Sequence, residues 1–161
     1  MGEGLGVLVA DETQSRDDAN ELLNAAVQYA QRMLRKYAEF GPFAFSLDQK
    51  RELVNETMAV ADMPADPVML LELINNQLVE RSSKNEIIAA ATAANVTLNK
   101  VSDEGFSDAL LVEIEHQSGY CIKAFVPYKM GGGQLHGLLP RVVRFGSIRV
   151  QNGAARFFAR S

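Results

Sequence analysis

A chain of 161 residues, 47% hydrophobic and 22% charged, has the length and composition of one folded domain, which excludes the disordered, collagen-like and low-complexity classes. No run approaches the ~20 apolar residues of a membrane span, the first residues lack the order of a secretory leader, and Cys121 is the sole cysteine, which excludes an intrachain disulfide and a thiolate zinc cluster. These totals predict a cytoplasmic protein with no membrane partner. The formal charge of −4 conceals a division: residues 1 to 115 carry 9 Lys/Arg against 20 Asp/Glu, net −11, while residues 116 to 161 carry 7 Lys/Arg and no acid, net +7.

Residues 1 to 14, with Gly2, Gly4 and Gly6 around a short apolar run, read as an N-terminal arm, leaving 15 to 161 as a single domain. From about residue 17 to 40, Leu22, Leu23, Ala26, Val27, Ala30, Met33, Leu34 and Tyr37 recur at three and four, the stripe of an amphipathic helix. Gly41-Pro42 ends it. Phe43, Phe45 and Leu47 then alternate with Ala44, Ser46 and Asp48, the period of a half-buried strand, and a second strand over 52 to 61 completes a hairpin. Asp66-Pro67 starts a second helix, since the carboxylate caps the free first-turn amides and proline suits the first helical position.

Residues 87 to 98 tolerate a helix at Ala89-Ala90-Ala91, but the flanking β-branched residues favour a strand. Over 108 to 128 the faces can be matched. Leu110, Val112, Ile114 and His116 share a side with Tyr120, Ile122, Ala124 and Val126 when Gln117-Ser118-Gly119 forms a three-residue loop, which sets Glu113 opposite Lys123 and Ile114 opposite Ile122. Gly131-Gly132-Gly133 breaks the sheet, and two final strands, 142 to 150 and 154 to 159, meet at Asn152-Gly153, a hairpin signal. The predicted fold is α+β: an antiparallel β-sheet with two helices packed on one face, in the order α-β-β-α-β-β-β plus a C-terminal β-hairpin.

Two segments carry a resemblance. With Glu39-Phe40-Gly41-Pro42-Phe43, and with the Asp108-Ala109 strand running to Glu115-His116 and on to Pro127-Tyr128, the chain resembles a family of small uncharacterised bacterial proteins over residues 20 to 130. That resemblance implies no activity. The element order is also similar to that of roadblock-type and longin-type interaction domains, an analogy of topology that implies a binding role.

Glu113, Glu115 and His116 form a close carboxylate and imidazole grouping, but on a regular strand the two glutamates point away from the histidine, so the three cannot converge. A metal or acid-base site would instead need His116 and His136 with a carboxylate such as Glu39 or Asp48. Cys121 falls opposite Glu115, whose charge blunts a thiolate. The glycine clusters lack the strand, Lys-Ser/Thr or helix context of a phosphate loop. No cofactor and no metal are predicted.

In the basic C-terminal segment, Arg144, Arg149, Arg156 and Arg160 are interleaved with aromatic residues including Phe157, a pattern that can hold a nucleic-acid backbone. The acidic remainder disfavours nucleic acid, and contact with the protein's own acidic surface or with a second copy accounts for the same residues. The leading expectation is therefore a non-catalytic domain that binds another protein or a small ligand, with a homodimer as its own first partner. An enzyme built on His116, His136 and Glu39 is the alternative, and nucleic-acid binding the third reading.

Overall fold

The computed structural model describes residues 2–57, 66–98, 105–132 and 139–158, with side chains described from residue 12 onward. Helix α1 spans Gly2–Tyr37, so the segment expected as an arm is helical and continuous with it. Strands β1 (Phe43–Asp48) and β2 (Leu53–Asn55), helix α2 (Pro67–Ser83), and strands β3 (Ile87–Thr97), β4 (Asp108–His116), β5 (Cys121–Gly132), β6 (Arg141–Phe145) and β7 (Arg149–Asn152) follow. The class is α+β, and the elements come in the predicted order. The seven strands form one antiparallel sheet ordered β2-β1-β3-β4-β5-β6, with β7 also paired to β5.

The register of β4 on β5 is the predicted one, with Glu113 opposite Lys123 and Ile114 opposite Ile122. Gly119 takes a φ of +102° in the intervening turn, and its N–H bonds back to the His116 carbonyl at 3.0 Å. Helix α1 stops at Tyr37, short of Gly41, because Ala38 adopts a left-handed φ of +66° and its N–H closes on the Leu34 carbonyl. The Arg141 guanidinium donates to the exposed Arg35 and Lys36 carbonyls at 3.0 Å, satisfying groups a helix end leaves open.

The two helices lie on opposite faces of the sheet, where the sequence placed them on one. Ala19, Leu22, Ala26 and Ala30 of α1 pack on Phe43, Phe45, Leu47, Ala89, Ala91, Ala93, Leu110, Val112, Ile114, Ala124 and Val126. Leu70, Ile74 and Leu78 of α2 pack on Ala44, Ile87 and Ala90, which alternate with the first set along the same strands. Residues 43 to 47 of β1 are consequently buried on both sides, rather than on one as the Phe43, Phe45 and Leu47 alternation implied. Alanines at 89, 90 and 91 let backbones and helices approach this middle layer closely.

The break between the last two strands falls at 146–148, not at Asn152-Gly153, and both strands pair with β5. Gly153 is needed there for another reason. A Cβ at that position would stand 3.0 Å from the Ile122 backbone, so the glycine permits a close crossing instead of a turn.

Beyond Gly153 the chain lies on the α2 side of the sheet and is fixed by Glu115, which is 2% exposed. Its Oε1 accepts from the N–H groups of Arg156 at 2.6 Å and Phe157 at 2.8 Å, and its Oε2 from that of Phe158 at 2.9 Å. Phe157 enters the α2 core, and its carbonyl accepts from the Ser82 hydroxyl. Replacement Glu115→Ala would leave three backbone donors without their acceptor, and should cost about 3 kcal/mol. Urea unfolding should register that loss, with faster amide exchange concentrated at residues 156 to 158; an unchanged midpoint would contradict this anchoring role.

Candidate functional site

His116 and Glu39, joined in the enzymatic expectation, lie at opposite ends of the sheet. Glu39 sits beside Asp108 at the start of β4, and His116 ends that strand, eight residues on, roughly 26 Å away at about 3.3 Å per residue. Asp48 is at the His116 end of the sheet, but its Oδ1 accepts from the Lys50 and Glu52 N–H groups at 2.8 and 2.9 Å and so fixes the β1–β2 turn; His136 lies outside the described residues. Among the described residues no group of three or more His, Cys, Asp or Glu side chains is placed to hold a metal ion.

His116 is buried and bridges α1 to the β4–β5 turn. Its Nε2 is 2.9 Å from Asp18 Oδ2, and its Nδ1 accepts from the Ser118 N–H at 3.1 Å. With Nδ1 an acceptor, the ring proton resides on Nε2 and is donated to Asp18. Both nitrogens are thus occupied, and neither is available as a base toward a serine hydroxyl, although Ser15 and Ser118 stand close by, 2.7 Å apart. Asp18 Oδ1 accepts in addition from Gln14 at 3.0 Å and Arg51 at 3.3 Å.

Two further buried carboxylates are engaged in the same way. Glu56, 1% exposed, accepts from Ser46 at 2.6 Å and Gln77 at 2.7 Å and lies 2.8 Å from Arg81. Glu115 holds the C-terminal segment as described above. Strand alternation places Glu113 and Glu115 on the α2 side and His116 on the α1 side, as the sequence predicts. Cys121 is half-buried opposite Glu115.

The basic residues of the C-terminal third divide into two sets. Arg156 donates to Thr92 at 2.9 Å and lies 3.5 Å from Glu113, which is also 3.5 Å from Lys123, and Arg141 caps α1. Arg144 and Arg149 are exposed on the sheet. Phe157, expected as a surface binding residue, is 4% exposed and belongs to the core, because the Glu115 anchor draws it under α2. Arg160 lies outside the described residues.

A cavity of about 620 Å³ opens where the sheet outruns α1. Leu34 is the last buried residue of that helix and packs on Tyr128 and Val143. Past it no described helix covers the α1 side of β3, β4 and β5, and Asn95, Asp108 and Tyr128 form a floor with Phe40 as a wall. The Tyr128 hydroxyl donates to Asn95 Oδ1 at 2.5 Å, and the Phe40 and Tyr128 rings stand 6.2 Å apart. Burial, reinforced by the Asp108 carboxylate, pushes the Tyr128 hydroxyl up to about 12. The phenol therefore stays neutral, a donor to Asn95 whose oxygen can accept from a guest. Glu39, Ser107 and Lys129 complete the polar lining.

Such a set of amide, phenol, hydroxyl and carboxylate groups can hold a polar molecule by hydrogen bonds. Among the described lining residues there is neither a histidine nor a cysteine. Sequence reasoning singled out Glu39 but missed Asn95, Asp108 and Tyr128. Their signal was polar residues on the core-facing positions near the ends of β3 and β4. No protein-family model matches the chain, and neither a curated protein nor a solved structure matches it.

Tyr128 supplies a pH test. Its folded value lies above the ordinary 10.0, so the unfolded chain ionises first as pH rises. The contribution to stability is fully present below pH 10 and is lost as pH climbs through about 12. Ultraviolet difference titration should show one tyrosine ionising near 12, and Tyr128→Phe should remove that step.

Proposed function

We propose that this chain is a non-catalytic binding domain whose small polar ligand occupies the cavity beyond the C-terminal end of α1. The observation that carries this reading is the contrast between two groups of polar side chains. Asp18, Glu56, Glu115 and His116 are buried and engaged in bonds that join one element to another. Asn95, Asp108 and Tyr128, although Tyr128 and Asn95 also bond to each other, converge on space large enough for a metabolite-sized guest. The distance from His116 to Glu39 weighs against the enzymatic alternative. The single cysteine and the lack, among the described residues, of a helix long and apolar enough to cross a membrane support a cytoplasmic setting.

A thermal-shift screen of the full chain against amino acids, nucleosides, sugars and small carboxylic acids tests the proposal. At least one class should raise the unfolding midpoint, and Asn95→Leu, which removes the amide and fills the floor, should abolish the rise. Absence of any shift, or a shift that survives Asn95→Leu, would overturn it.

A homodimer is favoured by the outer surface of α2. Val68 is 75% exposed and Met69 55%, with Leu73 and Val79 also exposed, an unusual density of apolar side chains on the solvent side of one helix. At micromolar concentration the 17.6 kDa chain should sediment at twice its mass, and Met69→Lys with Leu73→Glu should return it to a monomer. A wild-type chain that sediments as a monomer rules the dimer out.

A further inference from the structure

The sheet face turned away from α1 carries a basic surface that the fold does not use. Along β5 the positions 123, 125, 127 and 129 alternate with Ala124 and Val126, which face α1, and so all point to the α2 side. Lys129 pairs directly with Arg144 of β6, and Phe125 pairs with Arg149 of β7. Residues directly opposite each other share a face, so Lys129, Arg144 and Arg149 stand on one side of the sheet together with Phe125. Among the described residues, helix α2 and the C-terminal segment cover the β1–β3 side and Glu115, and Lys129, Arg144 and Arg149 are exposed.

The pairing of Lys129 with Arg144 is unfavourable in isolation. Like charges directly opposite on neighbouring strands destabilise a sheet, and both side chains are exposed. Among the described residues no carboxylate forms an ion pair with Lys129, Arg144 or Arg149, in contrast to Lys123 and Arg156, which share Glu113. Four residues of β5, about 13 Å, separate the Lys129–Arg144 pair from Arg149. Between and beside them lie half-buried Leu111 and Phe125 and exposed Val142. A local electrostatic cost without an internal partner is the pattern of a surface that meets an external anion.

We infer that this face binds the backbone of a single-stranded nucleic acid, with Lys129 and Arg144 at one point of the backbone, Arg149 further along it and Phe125 against a base. A flat sheet surface with cations spaced along a strand and an aromatic ring among them suits an extended polyanion whose bases are free to stack. An acidic protein segment would match the charge but makes no use of the ring. Glu113, an acid on this same face, is shared by Lys123 and Arg156, and at about 0.1 M salt acids more than about 10 Å away are largely screened. Arg144, Arg149 and Phe125 do not line the cavity, and Lys129 alone borders both sites, so the Arg144 and Arg149 variants test this inference apart from the cavity reading.

Fluorescence anisotropy of the full chain with labelled 20-nucleotide single strands of mixed sequence, RNA and DNA, over a range of low salt concentrations gives the test. Three phosphate contacts predict a log–log slope of affinity on salt of about −2. The double variant Arg144→Glu with Arg149→Glu, at exposed positions, should weaken binding roughly tenfold or more and reduce the slope by about 1.4. Lys129→Gln, a milder change verified as folded by circular dichroism, should lower the slope by about 0.7. No binding at the lowest salt, affinity unchanged in the folded variants, or preference for an acidic peptide over the oligonucleotide would overturn the inference.

Discussion

The centre of this molecule is a layer of backbone covered on both sides, and most of its chemistry follows from that constraint. Where β1 and β3 run between α1 and α2, each successive side chain must be hidden, whichever way it points. Small residues meet that demand at Ala44, Ala89, Ala90, Ala91 and Ala93, and hydrogen-bonded polar ones meet it at Ser46 and Thr92. A buried hydroxyl or carboxylate in such a layer needs a partner in place of water. The buried acids accordingly join elements: Asp18 ties α1 to the β4–β5 turn, Glu56 ties β1 to α2, and Glu115 ties the sheet to the C-terminal segment.

This arrangement separates two kinds of polar residue that look alike in sequence. Glu115 and Asp108 lie on the same strand, and each could be taken for a reactive acid. Position along that strand decides their roles. Glu115 falls where the C-terminal segment crosses, and its oxygens are filled by backbone donors. Asp108 falls beyond the reach of α1, beside Tyr128, and faces a cavity. The cavity of the proposed ligand thus lies where helical cover ends, at the boundary between packed and unpacked sheet.

Much of the fold was legible because it is local. The 108 to 128 hairpin, its glycine turn and its register follow from alternation and one positive φ. The helix α2 start follows from Asp66 and Pro67, and the Asp66 carboxylate does accept from the Val68 N–H at 3.0 Å. What escaped was non-local. Ala44 and Ser46 look like the solvent side of a strand until α2 is known to cross over to the other face. Asn152-Gly153 carries the composition of a turn, yet its glycine answers to the nearby Ile122 backbone, a contact between positions 31 residues apart. The cavity was hidden for the same reason: Asn95, Asp108 and Tyr128 come from three strands, and only Glu39, close to the end of α1, had been marked.

The shared use of β5 by two short partners has an effect on how the molecule meets its neighbours. Sheets commonly end in a strand whose unsatisfied amides invite another chain to add on, the route by which folded proteins begin to aggregate. Here that border is divided at residues 146–148, where Gly146 still donates to the Pro127 carbonyl. An incoming strand finds two stubs of five and four residues, the first bearing Arg141 and Arg144 and the second Arg149. Neither offers the long, flat, neutral template that stacking requires. The interruption shortens the ladder that any added strand could form along this border, so the molecule's edge resists extension even though its sheet is wide.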